Sequence, residues 1–429
     1  MKHPSAASAP RRASWLHRLG VPDVALVWMR LRASFWFVPA LLVLGSMAAA
    51  ALLVMVDPGN ELDDWSPRLF GAGASGSRAM LSAIATSMIT VAGVVFSITI
   101  VTLSLSSTQY SPRVLRNFMR DRPTQVVLGV FLGIFAYCLV VLRTIRGGDE
   151  GSFIPSVAVL GGMAYALAGI AMLIYFIHHV ATSIQASSIL ARIGHDTERA
   201  IDHLFPQEVG QPPEEEAGEP LLPDAWVPVA ARRSGYLVVV DAERLLRLAR
   251  TSGRVVRLRV AVGDYVSLGE TVVEMGGPQD PGEDTCEELL DAVVLAGQRT
   301  VEQDAAFGLQ QLVDVALRAL SPGVNDPTTA CMCLDQLGTV LARLAGRAMP
   351  GPHRFSEGRL CVVAPAPDFG GFLRLGLQPV VRHCGGDMQV LQSAATALAR
   401  VSAASAQPQR LQAVRALAIE IQAELARVR

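Results

Sequence analysis

Four uninterrupted apolar runs dominate the first 180 residues, at about 35–56, 80–105, 125–142 and 154–177, and none contains Asp, Glu, Lys or Arg. Each is close to or beyond the roughly 20 apolar residues that span a hydrocarbon core. Four such runs in succession predict a four-helix transmembrane part over 35–180 rather than the buried helices of a soluble protein. The first run starts after 34 residues and is long for the apolar stretch of a leader, so an uncleaved anchor is expected.

Beyond the fourth run the pattern changes. Residues 181–206 continue as an amphipathic helical extension, and 207–225, with Pro212-Pro213-Glu214-Glu215-Glu216, has the composition of a linker. Short β-branched runs at Tyr236–Val240, Val255–Val260 and Thr271–Glu274 predict a small β module over 226–275. Its turn Gly263-Asp264-Tyr265-Val266-x-x-Gly269 resembles those of biotinyl- and lipoyl-type modules. The remainder, 285–429, is expected to be mainly helical, with helices over Glu287–Ala319, Thr329–Ala345, Val390–Val401 and Arg410–Val428, and a helix or irregular segment over Phe372–Arg382. The expected fold class is therefore a membrane α-helical N-terminal part followed by an α+β part with a helical C-terminal region.

Within the membrane runs, the second carries the unusual pattern. At about 100° per residue, Ser82, Thr86, Thr90, Gly93, Ser97, Ser104 and Thr108 fall on one stripe, with mostly aliphatic residues opposite. Hydroxyls and glycine suit two roles: the lining of a polar pathway, or a seam where helices approach closely. Both stay open at this level. Gly129-x-x-x-Gly133 in the third run and the Gly161–Gly169 stretch in the fourth predict close packing within or between subunits. No Asp, Glu, Lys, Arg or His sits at mid-membrane, which disfavours a proton relay or charge-coupled pump. His178 and His179 fall at the end of the fourth run, where interfacial placement is expected.

Charge then orients the runs. Lys2, Arg11, Arg12, Arg18, Arg30 and Arg32 precede the first. The loop after it is acidic (Asp57, Glu61, Asp63, Asp64), and the next is basic (Arg113, Arg116, Arg120, Arg122). This alternation predicts both termini in the cytoplasm of a bacterial inner-membrane protein. Ser111-Pro112 opens a candidate amphipathic helix whose Arg113, Arg116 and Arg120 face anionic lipid headgroups or act only as topology determinants.

Overall composition excludes more than it assigns. Charged residues make up 17% of the 429, and the formal net charge is -1, which gives no electrostatic case for nucleic acid. Lys2 is the only lysine. That removes a P-loop lysine, a Schiff-base lysine and a biotin or lipoyl attachment site, so the β module is expected to be structural and without cofactor. The six cysteines have no metal-ligand spacing, and Cys331-x-Cys333 falls in a helical pattern. No hydrolase motif is present, and an enzyme is not expected.

One motif remains in the soluble part: Gly297 to Gly308, then Ala319-Leu-Ser-Pro-Gly-Val-Asn-Asp-Pro327. The second piece has the chemistry of a helix–turn–helix connection, with Asp326 as N-cap and Pro327 at the first helical position. Arg299, Gln303 and Asp304, placed on the preceding helix, form a candidate polar site with Asn325 and Asp326. The capping role and the site role are both open.

Together these segments resemble one family. Ser87 to Ser97, Ser111 to Phe118, Arg299-Thr300, Gln303-Asp304, Phe307-Gly308 and Ala319 to Pro327 are similar to the hallmarks of domain-of-unknown-function family 2254. Val324 departs from the isoleucine expected there. The resemblance covers nearly the whole chain. It implies four membrane helices and a cytoplasmic region, and it brings no activity, cofactor or catalytic residue. Two functions follow as expectations: a homo-oligomeric channel-like or passive transport protein with a cytoplasmic regulatory domain, or a membrane-anchored sensor or scaffold that binds a partner or small ligand.

Overall fold

The computed structural model describes residues 35–56, 73–109, 121–146, 153–205 and 221–428. It divides into two compact units, one ending at Ser183 and the other built mainly from Ile184 onward. The expected N-terminal segment 1–34, the Arg113–Arg120 loop and most of the expected linker 207–225 lie outside the described residues.

The first unit holds α1 (Phe37–Val56), α2 (Ala74–Gln109), α3 (Arg122–Thr144) and α4 (Ser156–Ser183). All four are long and apolar enough to cross a membrane. α2 and α3 run past their apolar runs at both ends and α4 at its end, while α1 stays within its run. Asp121 accepts the Thr124 N–H at 3.3 Å and proline stands in the first turn, so α3 starts at Arg122. α2 starts at Ala74, and Arg78 in its second turn donates to the Ile145 carbonyl beyond the end of α3 at 2.7 Å.

α3 is the inner helix. It buries 61% of its membrane-length window, against 17–28% for the other three. Its glycines explain how α1 comes so close. A methyl at Gly129 would lie 2.6 Å from Leu42 Cδ1, and one at Gly133 would lie 2.5 Å from Ser46 Oγ. The Gly-x-x-x-Gly pattern thus packs α3 against α1 within one chain. Gly161, Gly162 and Gly169 serve the same purpose on α4, facing Tyr137, Leu81 and Ile134 respectively. Tyr137 satisfies its hydroxyl by donating to the Ala158 carbonyl at 2.7 Å.

In the second unit, α5 (Ala186–Leu204) follows α4 after two residues. The helical extension expected over 181–206 is therefore interrupted. Gln185 is extended (ψ 134) and breaks the helix there. α5 buries Ile189, Leu190, Ile193, Thr197 and Ile201 on one stripe.

The β module departs from expectation in two ways. A helix, α6 (Ala242–Ser252), interrupts it after β1 (Trp226–Ala230) and β2 (Gly235–Val240). Asp241 caps its start and Gly253, left-handed at φ 68, ends it. After β3 (Val256–Leu258), β4 (Tyr265–Val266) and β5 (Thr271–Gly276), the module also does not close at residue 275. It takes in α7 (Glu283–Asp291) and β6 (Val293–Ala296), and later β7 (His353–Ser356) and β8 (Arg359–Val363). One sheet runs β1-β5-β3-β8-β7 and the other β4-β2-β6. Among the described strands only the β3–β8 pair is parallel. Leu237, Val256, Val266, Val273, Met275, Leu289 and Val362 from both sheets and α7 share one core.

The expected helix over Glu287–Ala319 is consequently three pieces: the end of α7, strand β6 with a turn, and α8 (Ala305–Ala319). Val293-Val-Leu-Ala296 fits a helical pattern as well as a strand, and pairing with β2 decides it. α9 (Pro327–Ala345), α10 (Phe369–His383), α11 (Met388–Ala404) and α12 (Pro408–Val428) complete the unit and pack with α5 and α8 as a helical bundle. Phe372–Arg382 thus belongs to a helix.

Candidate functional site

The stripe on α2 faces away from its own unit. Ser77, Leu81, Ala85, Met88, Ala92 and Val95, spaced by three and four, turn inward on α2. Ser82, Thr86, Thr90, Gly93, Ser97 and Ser104 are all exposed, and nothing lies within 4 Å of a methyl placed on Gly93. Thr108 has its side chain outside the described residues. The stripe is therefore not a seam inside the four-helix unit. Large apolar side chains are exposed on all three outer helices: Leu41, Leu44, Leu52 and Met55 on α1, Ile89, Val94, Ile100 and Val101 on α2 beside the stripe, and Leu167, Ile170, Ile174 and Ile177 on α4. Among the α2 hydroxyls, Thr90 donates to the Thr86 carbonyl at 2.8 Å, which lets this face tolerate an apolar surrounding.

The second candidate site does not converge. Arg299 and Gln303 lie in the turn between β6 and α8, not on a helix, and Asp304 is the N-cap of α8. Asn325 and Asp326 stand beyond the other end of that helix, 15 residues or roughly 22 Å away at ~1.5 Å per residue. The two groups stay apart because the rigid helix α8 lies between them.

At the α8 start, each polar group has a partner in the fold. Arg299 pairs with Asp304 at 2.7 Å and lies over the Phe307 ring at 5.0 Å. Asp304 accepts the Phe307 N–H at 2.9 Å. Burial pushes its carboxyl above the usual carboxylate range, against the pull of the Arg299 guanidinium and of that N–H. Gln303 brackets Val240 at the end of β2, accepting its N–H at 2.9 Å and donating to its carbonyl at 3.5 Å. Gly308 lies flush on Thr197 of α5, whose Cβ would be 2.9 Å from a methyl there.

At the other end, Asp326 caps α9 as its position in the sequence suggested. It accepts from Thr329 N at 3.0 Å and Thr329 Oγ1 at 2.6 Å. These bonds hold its carboxyl below the usual range, the side-chain bond contributing most. Asn325 is exposed and left-handed, with φ 48.

One polar cluster escaped the sequence. His179 Nε2 meets Asp121 Oδ2 at 2.8 Å, tying the end of α4 to the start of α3, and its ring stacks on Tyr175. Ser183 Oγ approaches the same Nε2 at 3.3 Å. A hydrolytic relay needs acid and nucleophile on opposite ring nitrogens; here both reach one, so the set is an interhelical tie. A histidine beside a helix end was the available signal, but its partner lies 58 residues earlier. Among the described residues no group of His, Cys, Asp or Glu is arranged to hold a metal ion. Cys138, Cys333, Cys361 and Cys384 are buried as free thiols.

Comparison with known proteins agrees with the architecture. Proteins of Mycobacterium bovis and of two Mycobacterium tuberculosis strains, H37Rv and CDC 1551, each carry the name uncharacterized protein. Each is 36% identical to this chain over 420 residues, covering 94% of it and 80% of the relative. No solved structure matches. The model of the family described as predicted membrane protein (DUF2254) matches residues 32–400, and with four membrane-length helices inside that range the chain belongs to this family.

Proposed function

We infer that the protein is a homo-oligomeric, channel-like or passive transport protein of the bacterial inner membrane, with α2 lining a pathway between subunits. The observation that carries this reading is the exposed stripe of Ser82, Thr86, Thr90, Gly93, Ser97 and Ser104 on α2. It runs beside exposed Ile89, Val94, Ile98, Ile100 and Val101 on the same helix, so α2 offers a polar strip within an otherwise apolar surface. A hydroxyl and glycine face gains little from lipid and suits water or a second helix. The absence of charge at mid-membrane fits passive movement rather than coupled pumping. Four spans, with arginines before the first and in the second loop, favour a cytoplasmic side for both termini and the second unit. There the second unit acts as the regulatory domain, and Arg113, Arg116 and Arg120 meet anionic headgroups.

The test is flux through proteoliposomes loaded with small neutral solutes and monovalent ions. Thr90→Cys, Gly93→Cys and Ser97→Cys are expected to react with a water-soluble thiol reagent and to lose flux on reaction. Leu167→Cys, on the aliphatic outward face of α4, is expected to be inert. Protein that conducts nothing under any of these conditions would overturn the reading. The sensor or scaffold alternative is weakened at the Arg299–Asp304 turn, where the charged and amide groups already have partners in the fold. An enzymatic role draws no support from any group described above.

A further inference from the structure

Two turns distant in sequence meet at the start of α8. Gly263, with φ 99, sits in the turn before β4. Its N–H donates to the Leu237 carbonyl at 2.8 Å, and the Leu237 N–H returns to the Asp264 carbonyl at 2.9 Å. The turn is thus bound to β2. A methyl at Gly263 would lie 2.5 Å from Asp304 Oδ2 and 2.8 Å from Arg299 Nη2, so backbone and ion pair are in direct contact. Gln303 grips the same strand at Val240. One turn into α8, Gly308 seats on Thr197, which is fully buried and donates its hydroxyl to the Ile193 carbonyl at 2.7 Å. Thr197 belongs to α5, the helix reached two residues after α4.

We propose that the Arg299–Asp304 turn is a coupling joint, through which displacement of β2 and the Gly263 turn is passed along α8 to α5. The contacts are short and run without a gap: a strand edge clamped by an amide, a capped helix end under a close-packed glycine, and a helix crossing with no room for a methyl. Packed elements of this kind shift as blocks rather than deform continuously. This stands whether or not α2 lines a pathway, since it concerns only the second unit.

Coupling between two places is reciprocal, and the test uses that. Hydrogen exchange is followed by mass spectrometry on the full chain in lipid nanodiscs. Gln303→Ala, on the strand side, is expected to raise exchange across 186–204 by about fivefold or more. Gly308→Ala, on the bundle side, is expected to raise it across 235–240 and 261–266. If that variant does not fold, Thr197→Ser replaces it as a milder loosening of the same contact. Residues 408–428 of α12 serve as the reference and stay unchanged. Exchange that rises only on the substituted side would overturn the joint. So would a rise that includes α12, because that is general loosening.

Discussion

The hydroxyls of Ser46 on α1 and Tyr165 on α4 lie 2.9 Å apart, directly over Gly133 of α3. Three helices meet at this point because the third has no side chain. The Ser46 hydroxyl also donates to the Leu42 carbonyl at 2.8 Å, so no polar atom of the pair depends on water.

Gly133→Val is therefore expected to separate α1 from α3, at a cost of about 1–3 kcal/mol for overpacking. Gly93→Val, on the outward face of α2 with nothing within 4 Å, is the matched control. Thermal unfolding in detergent should show a clear loss for the first and little change for the second. Equal losses would mean that the glycines matter for backbone reasons alone.

Asp202 on α5 gives a pH prediction with a definite sign. It is held below the usual carboxylate range chiefly by the hydrogen bond from Arg343, with Arg347 adding to the same effect. A carboxyl depressed in the folded state contributes stability above its unfolded pKa of about 3.9, lost as pH falls through the folded value. Asp202→Asn should accordingly lower the melting temperature at neutral pH, and its difference from wild type should shrink on acidification below about pH 4. A difference that stayed constant across that range would point to lost packing instead.

Asp304 should show the opposite slope. Its carboxyl is raised by burial. A folded-state pKa above the unfolded one makes the contribution largest at low pH and smaller as pH rises from the ordinary carboxylate value to the folded one. Asp304→Asn is expected to flatten this limb. Asp304→Ala also loses the cap on α8, an additional cost of about 1 kcal/mol. Chemical denaturation of both variants at several pH values checks the two effects separately.

These sites differ in how far they could be foreseen. The membrane helices were legible because a run of about 20 apolar residues has few other uses. The Asp326–Pro327 start of α9 was legible because its capping chemistry is local. Asp241 and Gly253 were equally local signals for α6, yet the β-branched runs on either side masked them. Strand β6 was not legible, since four apolar residues satisfy either period until β2 pairs with them. The parallel partner of β3 comes from β8, about a hundred residues later. The contact of Gly263 with Asp304 has the same character, being made by tertiary packing between two turns.

The connection between α8 and α9 offers a direct separation of structure from ligand binding. Asn325 holds φ 48, a conformation that glycine adopts freely and β-branched residues resist. Asn325→Gly should leave thermal stability nearly unchanged, and Asn325→Val should cost about 1–2 kcal/mol. If the glycine variant folds normally but loses a cellular phenotype, the amide itself has a role beyond backbone geometry.

Beyond Val95, no residue of α2 with a described side chain is buried. Its membrane-length segment is 32 residues, roughly 48 Å at ~1.5 Å per residue, against a hydrocarbon core of about 30 Å. Tilting over the usual range, up to about 40°, absorbs only part of that excess. Part of α2 is therefore expected to leave the hydrocarbon layer while still helical. Bilayer thickness then bears on its inclination, and thinner or thicker membranes should set it at different angles.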